Sequence, residues 1–149
     1  MGIVLLARHP VRDLGRQHLI NVWISHQSDD WQIDLQWSNS DLALLLAYQL
    51  TKNWSGKINL CLAIGEERDP EPAETFLQQL ADLARLPGDT EVTVVQAPFA
   101  EALHMVRRAD LAIFGLPNPA RLTFCQEIVA AVDGSCLFVR DSGEESALA

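Results

Sequence analysis

The sequence lacks any apolar run long enough to cross a bilayer. The chain has 149 residues, of which 48% are hydrophobic and 21% charged, a globular composition. The most apolar helical pattern, from Leu42 to Leu50, is closed by Asp41 and Lys52 after less than half of the roughly 20 residues that a membrane helix needs. We therefore expect a core helix there, a single α/β domain over residues 1–149 and, without a charged segment followed by a cleavable apolar one, no secretory signal.

Cysteine and positive charge are both scarce. Cys61, Cys125 and Cys136 lie far apart within apolar patterns and form no C-x-x-C pair, so we predict three small buried hydrophobic residues. Eleven Lys and Arg residues against twenty Asp and Glu residues give a formal net charge of −9. This charge repels nucleic-acid phosphates and anionic lipid heads. We therefore expect protein partners, with no nucleic acid and no direct lipid binding.

Short strand patterns alternate with helical patterns along most of the chain. Apolar, β-branched runs predict strands at residues 2–7, 19–25, 57–65, 91–97, 110–116 and 136–140, and the alternating WQIDLQW at 31–37 predicts an edge strand. Four helices are predicted. The first starts after Asn39 or Ser40, and the second is capped by Asp69 ahead of Pro70 and Pro72. The third runs from Pro98 to Arg107 and Arg108, and the fourth starts at Asn118 and Pro119 and ends at a left-handed Gly134.

This alternation predicts an α/β fold of three layers, a mostly parallel sheet flanked by helices. The first strands have no helix between them, so we expect an extra N-terminal strand or hairpin at the sheet edge. The acidic residues 141–149 are expected to form a mobile tail.

Ligands of such sheets bind beyond the carboxyl ends of the strands, where the chain has GEERDPEP (65–72), APFAE (97–101) and GLPNPAR (115–121). None matches G-x-G-x-x-G or G-x-x-x-x-G-K-[ST], and prolines in LPNP remove backbone donors to phosphate. The acidic loop after residue 65 could hold a divalent cation but is more typical of a solvated helix start. We therefore predict no cofactor site and no metal site.

Catalytic constellations are not evident either. His9, His18, His26 and His104 lack zinc-ligand spacing and are predicted to be surface residues. No G-x-S-x-G elbow is present, and Ser135 follows a helix-ending glycine. We predict no catalytic residue and a protein that is not an enzyme.

Two clusters near the N-terminus leave alternatives open. Asp29, Asp30 and Asp34 could form a carboxylate pair, but the strand alternation places Asp34 on a wet face. Tryptophans 23, 31, 37 and 54 all fall in the first 54 residues. Core packing explains them most simply, although aromatic residues near an edge also mark protein interfaces.

Four segments, in order, resemble the cytosolic carboxyl-terminal domain of cation-chloride cotransporters, transporters of the amino acid-polyamine-organocation type. INVWIS and then DLALLLAYQLTKNWSGKINLCLAIG are similar to that family's Asp-Val-Trp-Trp strand, its LLLAYLL-type helix, a tryptophan and a strand. ADLAIFGLPNP resembles its LVVLSLPVP segment, and CLFVRDSGEESAL resembles its PVLLVRGNQESVL ending. The resemblance covers about the whole chain.

The resemblance implies a domain related in fold to universal stress proteins that lies at the cytoplasmic face of the membrane, dimerises and regulates its own transmembrane transporter domain. Ile24 in place of the second tryptophan, SNSD in place of a glycine turn and the end after Leu148 depart from the family pattern and favour a prokaryotic or divergent member. We therefore expect a non-catalytic regulatory and self-association domain, excised from the carboxyl-terminal region of a transporter.

A stand-alone universal stress protein that binds ATP is the alternative. Such proteins are expected to carry a late G-x-x-G, nine residues and then Gly-Ser, and Gly134-Ser135 fits the last part. The earlier part is missing, because Leu116, Pro117 and Asn118 follow Gly115 where a second glycine is expected.

Overall fold

The computed structural model describes residues 2–24, 40–116 and 120–142. The strands are β1 (Ile3–Ala7), β2 (Leu19–Trp23), β3 (Lys57–Ile64), β4 (Glu91–Gln96), β5 (Leu111–Gly115) and β6 (Ser135–Arg140), and the helices are α1 (Ser40–Trp54), α2 (Pro70–Leu83), α3 (Phe99–Met105) and α4 (Leu122–Val132). The predicted strand at 31–37 lies outside the described residues. Within the described ranges, no helix is long and apolar enough to cross a membrane.

The described strands form one sheet in the order β1-β6-β5-β2-β3-β4. Neighbours from β6 to β4 are parallel, whereas β1 lies at the end of the sheet, antiparallel to β6. This confirms the predicted N-terminal addition at the sheet edge. Among the described residues the addition is one strand, β1, and it forms no hairpin with β2 because β6 and β5 lie between them.

Helices cover both faces of the sheet and create two cores, which confirms the three layers. Helices α1 and α2 bury Leu44 and Phe76 against one face. Helices α3 and α4 pack on the other face, over Phe114 and Phe138. All four of these side chains are about 1% exposed. Each contributes about 1.5–3 kcal/mol through removal of apolar surface from water, and burial on both sides explains the continuous apolar run of β5 and the mostly apolar sequence of β2.

Helix α2 begins as its sequence predicts. The Asp69 carboxylate accepts a hydrogen bond from the Glu71 backbone N–H at 3.0 Å, and Pro70 occupies the first turn. The cap satisfies a donor that has no partner inside the helix, and the proline ring fixes a helical φ where no intrahelical donor is lost.

The start of α1 is held by a residue from the far end of the chain. The Leu42 backbone N–H donates to the Asp141 carboxylate at 3.3 Å. Ser40 is the first helical residue, and the other candidate cap, Asn39, lies outside the described residues. Of the predicted acidic tail, residues 143–149 also lie outside the described ranges.

Helix α3 ends at Met105, so the prediction that it continues to Arg107 and Arg108 is wrong. Val106 is already extended, with φ −89° and ψ 145°. The Arg107 backbone carbonyl then accepts a hydrogen bond from the Asn21 side-chain amide at 2.8 Å. This tertiary contact with β2 favours extended backbone over another helical turn.

Helix α4 differs from its prediction at both ends. It begins at Leu122, and residues 118 and 119, its predicted cap and first residue, lie outside the described residues. At its other end the left-handed residue is Asp133, with φ 53° and ψ 47°, and the prediction of Gly134 is wrong. Aspartate tolerates this conformation better than most residues, and its carboxylate contacts His9 Nε2 and Arg12, each at 3.1 Å, which a glycine could not do.

The segment between β1 and β2 is anchored by one carboxylate. Asp110, just before β5, accepts hydrogen bonds from the backbone N–H groups of Arg16, His18 and Leu19 at 2.8–3.1 Å. Gly15 is left-handed at φ 56°, and a Cβ at this position would collide with the Asp110 carboxylate. A side chain at this position would have to displace the Asp110 carboxylate, so glycine favours the close approach of the segment to the sheet.

Candidate functional site

The point where the strand order reverses lies between β2 and β5. Ligands of open α/β sheets usually bind at the carboxyl ends of the strands at this point. Here Trp23 stacks on Phe114 with ring centroids 6.1 Å apart, and Phe99 meets the Trp23 ring edge-on at 5.6 Å. Trp23 is 7% exposed. Three aromatic rings thus pack against one another at the carboxyl ends of these two strands.

The fate of the tryptophans differs along the chain. Trp23 is a core residue of a central strand, which confirms the packing interpretation for this residue. Trp54, at the end of α1, is half-buried against the other core. Residues 31 and 37 lie outside the described ranges, so an interface role for those tryptophans stays a prediction.

The acidic loop after β3 makes internal contacts. Its Asp69 caps α2, and the Arg68 backbone carbonyl accepts a hydrogen bond from the Gln96 side-chain amide at 2.8 Å. A shallow depression nearby is lined by Asp69, Glu71, Pro72, Thr75, Phe76 and Gln79. The described residues contain no group of three His, Cys, Asp or Glu side chains placed to hold a metal ion. The loop therefore stabilises the start of α2.

Gly134 and Ser135, the pair that matches part of a nucleotide-binding pattern, lie at the start of β6. This is the amino end of the parallel strands, whereas ligands usually bind at their carboxyl ends. The Ser135 hydroxyl accepts from the His9 backbone N–H at 2.9 Å and donates to the Asp13 backbone carbonyl. The serine thus joins the segment after β1 to the start of β6. No described contact directs this hydroxyl towards a ligand.

The histidines are dispersed over the fold. His9 Nδ1 accepts hydrogen bonds from the backbone N–H groups of Val11 and Arg12, at 3.2 and 2.9 Å. The proton therefore belongs on Nε2, which lies 3.1 Å from the Asp133 carboxylate. His18 and His104 are exposed, whereas residues 26, 29, 30 and 34 lie outside the described ranges. His9 and His18 both lie between β1 and β2, and the described residues contain no group of three His, Cys, Asp or Glu side chains placed to hold a metal ion.

All three cysteines are buried, which confirms their prediction as small core residues. Burial raises the pKa of the Cys61 thiol and raises that of Cys136 to about 12, with a smaller effect from Cys125 on the latter. The thiolate is the nucleophilic form, so burial disfavours the reactive form of these two thiols in the folded protein.

A polar ladder across three strands was missed by the sequence interpretation. Asn59 on β3 donates to the Asn21 side-chain oxygen on β2 at 3.2 Å and accepts from the Thr93 hydroxyl on β4 at 2.9 Å. Asn21 and Asn59 are 4% and 2% exposed. Their places in strands that are otherwise apolar, INV and INL, were the available signal.

Next to this ladder, charged side chains occupy the start of β4. Glu91 accepts from Lys57 at 3.1 Å and from Arg107 at 3.0 Å. The Lys57 hydrogen bond is the largest cause that lowers the pKa of Glu91. Since all three side chains are at least two-fifths exposed, these ion pairs contribute little to stability.

Taken together, the contacts define a three-layer α/β domain whose conspicuous polar side chains, the Asn21 ladder, Asp110 and Ser135, bind other parts of the same chain. The chain belongs to the prokaryotic cation-chloride cotransporter family: the family model "Prokaryotic cation-chloride cotransporter, C-terminal domain, 2nd" matches residues 15–148.

A solved structure supports this assignment. It is described as the cytoplasmic domain of a prokaryotic cation chloride cotransporter and superposes with a TM-score of 0.89 at 37% sequence identity. The match covers 99% of this chain and 55% of that one, so the chain spans about half of the solved domain. A comparison with curated proteins gives no match. The family resemblance stated from the sequence is confirmed.

Proposed function

We propose that this chain is a non-catalytic regulatory and self-association domain of a cation-chloride cotransporter, placed at the cytoplasmic face of the cell membrane. The observation that carries the proposal is the family match over residues 15–148. The solved relative, which is described as cytoplasmic, supports the placement. The partners would be the transporter's own transmembrane part and a second copy of the chain.

The described contacts support a role without catalysis. Asp69 and Ser135 bind other parts of the same chain, and the three thiols are buried. We therefore assign no catalytic, cofactor or metal residues. The net charge of −9 supports protein partners over nucleic acid or anionic lipid.

Regulation is tested in the intact transporter. Chloride-dependent cation uptake is measured in cells that express the full transporter or a version without residues 15–148, with membrane abundance measured in parallel. Removal of the domain should change the uptake rate per transporter at the membrane. An unchanged rate contradicts a regulatory role, and a reading frame without membrane spans contradicts the family function.

Self-association is tested by sedimentation of the purified chain over a range of concentrations. A dimer that forms as concentration rises is expected, and a monomer throughout contradicts self-association. A thermal-shift titration with ATP is the matched test of the stress-protein alternative, because a ligand at 100 times its dissociation constant stabilises by about 2.7 kcal/mol. A clear shift with ATP contradicts the proposal.

A further inference from the structure

Residues 8–16, RHPVRDLGR, form a basic surface segment between β1 and β2, here called the arginine segment. It contains three of the chain's eleven Lys and Arg residues, Arg8, Arg12 and Arg16, and one carboxylate, Asp13. All three arginines are exposed. The other basic residues at this end of the sheet follow helices, whose carboxyl ends favour positive charge. The arginine segment follows a strand, so helix dipoles do not explain its charge.

The tip of the arginine segment is apolar. Pro10 and Val11 are both exposed, and Val11, at 87%, has the highest exposed fraction of any large apolar side chain in the described part of the chain. An apolar tip with an arginine on either side suits a surface that is partly apolar and carries negative charge.

The backbone donors of this tip are already satisfied. The Val11 and Arg12 N–H groups donate to His9 Nδ1 at 3.2 and 2.9 Å. The Asp13 N–H donates to the His9 backbone carbonyl at 3.0 Å, and the proline before Val11 has no N–H. An unpaired backbone donor is costly where water is scarce. The tip can therefore enter a layer of lipid headgroups without leaving a donor unpaired.

The arginines keep donors for a further anion. Arg8 donates to Asp13 through Nε and Nη2, at 2.7 and 2.6 Å, and Arg12 Nη2 lies 3.1 Å from the Asp133 carboxylate. A guanidinium has five N–H donors, so these pairs orient each group and leave donors that fit phosphate oxygens. The Arg16 side chain has no hydrogen bond or ion pair among the described residues.

Two anionic partners are available at the cytoplasmic face of a membrane, an acidic protein segment and the lipids themselves. The cytoplasmic loops of a transmembrane domain are enriched in Lys and Arg, so they would repel the arginine segment. The cytoplasmic leaflet contains anionic lipids and has a negative surface potential. Its phosphates therefore match the three arginines better than the loops do.

We propose that the arginine segment binds the phosphates of anionic lipids in the cytoplasmic leaflet, with Val11 at the level of the headgroups. The proposal rests on the placement of the domain given above, and for this segment it revises the expectation of no direct lipid binding. The net charge of −9 still repels the chain as a whole, so the contact depends on the attachment to the membrane. The amino ends of the parallel strands would then face the bilayer.

The test uses the full transporter from the native gene in nanodiscs, with its other accessible cysteines replaced and Val11→Cys labelled with a fluorophore. Lipids with a quencher on the headgroup report contact. With about one third phosphatidylglycerol, quenching should be about twofold stronger or more than with phosphatidylcholine alone. Leu122→Cys is the matched control, because Leu122 is apolar, 73% exposed and at the opposite edge of the sheet. Its quenching should be the same in both lipids.

A charge reversal gives a second readout. Arg16→Glu should remove about half or more of the difference between the two lipids at position 11, and about 0.5 M salt should abolish it. An unchanged Tm checks that this variant folds. Arg121→Glu makes the same change in charge at the opposite edge and should leave the difference intact.

Equal quenching in the two lipids overturns the proposal while the transporter assignment stands. Protection of position 11 from both lipid-borne and water-soluble quenchers also overturns it, because a protein would then cover the segment. An equal loss of signal in Arg121→Glu overturns a contact specific to the arginine segment. A native gene without membrane spans contradicts the proposed function instead.

Discussion

The two edges of the sheet are finished in different ways. At β4, helix α2 packs over half-buried Val92 and Val94, and Glu91 is paired with two cations. At β1, three large apolar side chains face outwards without a charge among them. The difference indicates that β4 has a helix over its apolar side chains and charges at its start, whereas β1 exposes apolar side chains among the described residues.

The largest expected contrast is between truncations at the two edges. Phe76→Ala on α2 should cost about 3–5 kcal/mol of unfolding free energy, because it leaves a cavity under β4. Leu6→Ala on β1 should cost about 1 kcal/mol in the 149-residue chain, since half of that side chain already contacts water. Urea unfolding followed by circular dichroism measures both. Equal losses would show that β1 is as well packed as β4.

A second contrast concerns the segment that leads from β1 to the sheet centre. Asp110→Ala should cost about 2 kcal/mol, because three backbone donors lose their acceptor and the segment can rehydrate only in part. Asp89→Ala, an exposed carboxylate in the loop before β4, is the matched control and should be neutral. A neutral Asp110→Ala in the same urea titration would mean that the segment is held elsewhere.

The reactivity of two buried thiols compares how readily the sheet opens locally near β1 and near β4. In a Cys125→Ser background, with either Cys61 or Cys136 also replaced by serine, native-state labelling with a disulfide reagent reports local opening. Cys136, opposite Ala7 of β1, which pairs with only one of the described strands, should react about tenfold faster than Cys61, which corresponds to an opening free energy about 1.4 kcal/mol lower. Faster reaction at Cys61 would reverse the ranking of the edges.

The smallest effect is the acid response of the β4 edge. The hydrogen bond from Lys57 lowers the pKa of folded Glu91, so its stabilisation is present above the unfolded pKa of about 4.3 and is lost as pH falls through the folded pKa. Glu91→Gln should therefore reduce stability by less than about 1 kcal/mol at pH 7 and flatten the stability profile below pH 4.3. Glu127→Gln is the control on α4. Parallel acid profiles for Glu91→Gln and the native protein would show that the pair contributes nothing.

Local patterns predicted most elements, because the period of apolar residues and the helix caps act over a few positions. The apolar runs of β2 and β5 predicted doubly buried strands, and Asp69 with Pro70 predicted the start of α2. The same reasoning failed at Arg107, which lies beyond the end of α3 and whose carbonyl accepts from Asn21 on a distant strand. Asp133 was likewise missed, because its left-handed backbone goes with contacts to His9 and Arg12 that no local pattern encodes.

The candidate surfaces were less predictable than the fold. Asp110 precedes an apolar strand like many surface residues, and only the folded chain shows that it accepts three backbone N–H groups. The sequence of β1 is that of a core strand, since a run of apolar residues does not show which part of a protein packs against it. Both depend on strand order, which local sequence does not specify.

The side-chain ladder from Asn21 through Asn59 to Thr93 gives the sheet a safeguard against mispairing while it folds. If β3 paired with β2 in a register shifted by one residue, the Asn59 side chain would point into the apolar core beneath α1 and α2. Its amide would then be unpaired, at a cost of about 1–3 kcal/mol. Purely aliphatic strands would tolerate such a slip far more easily. The paired amides thus favour one register of β2 and β3 over the alternatives that apolar side chains alone would allow.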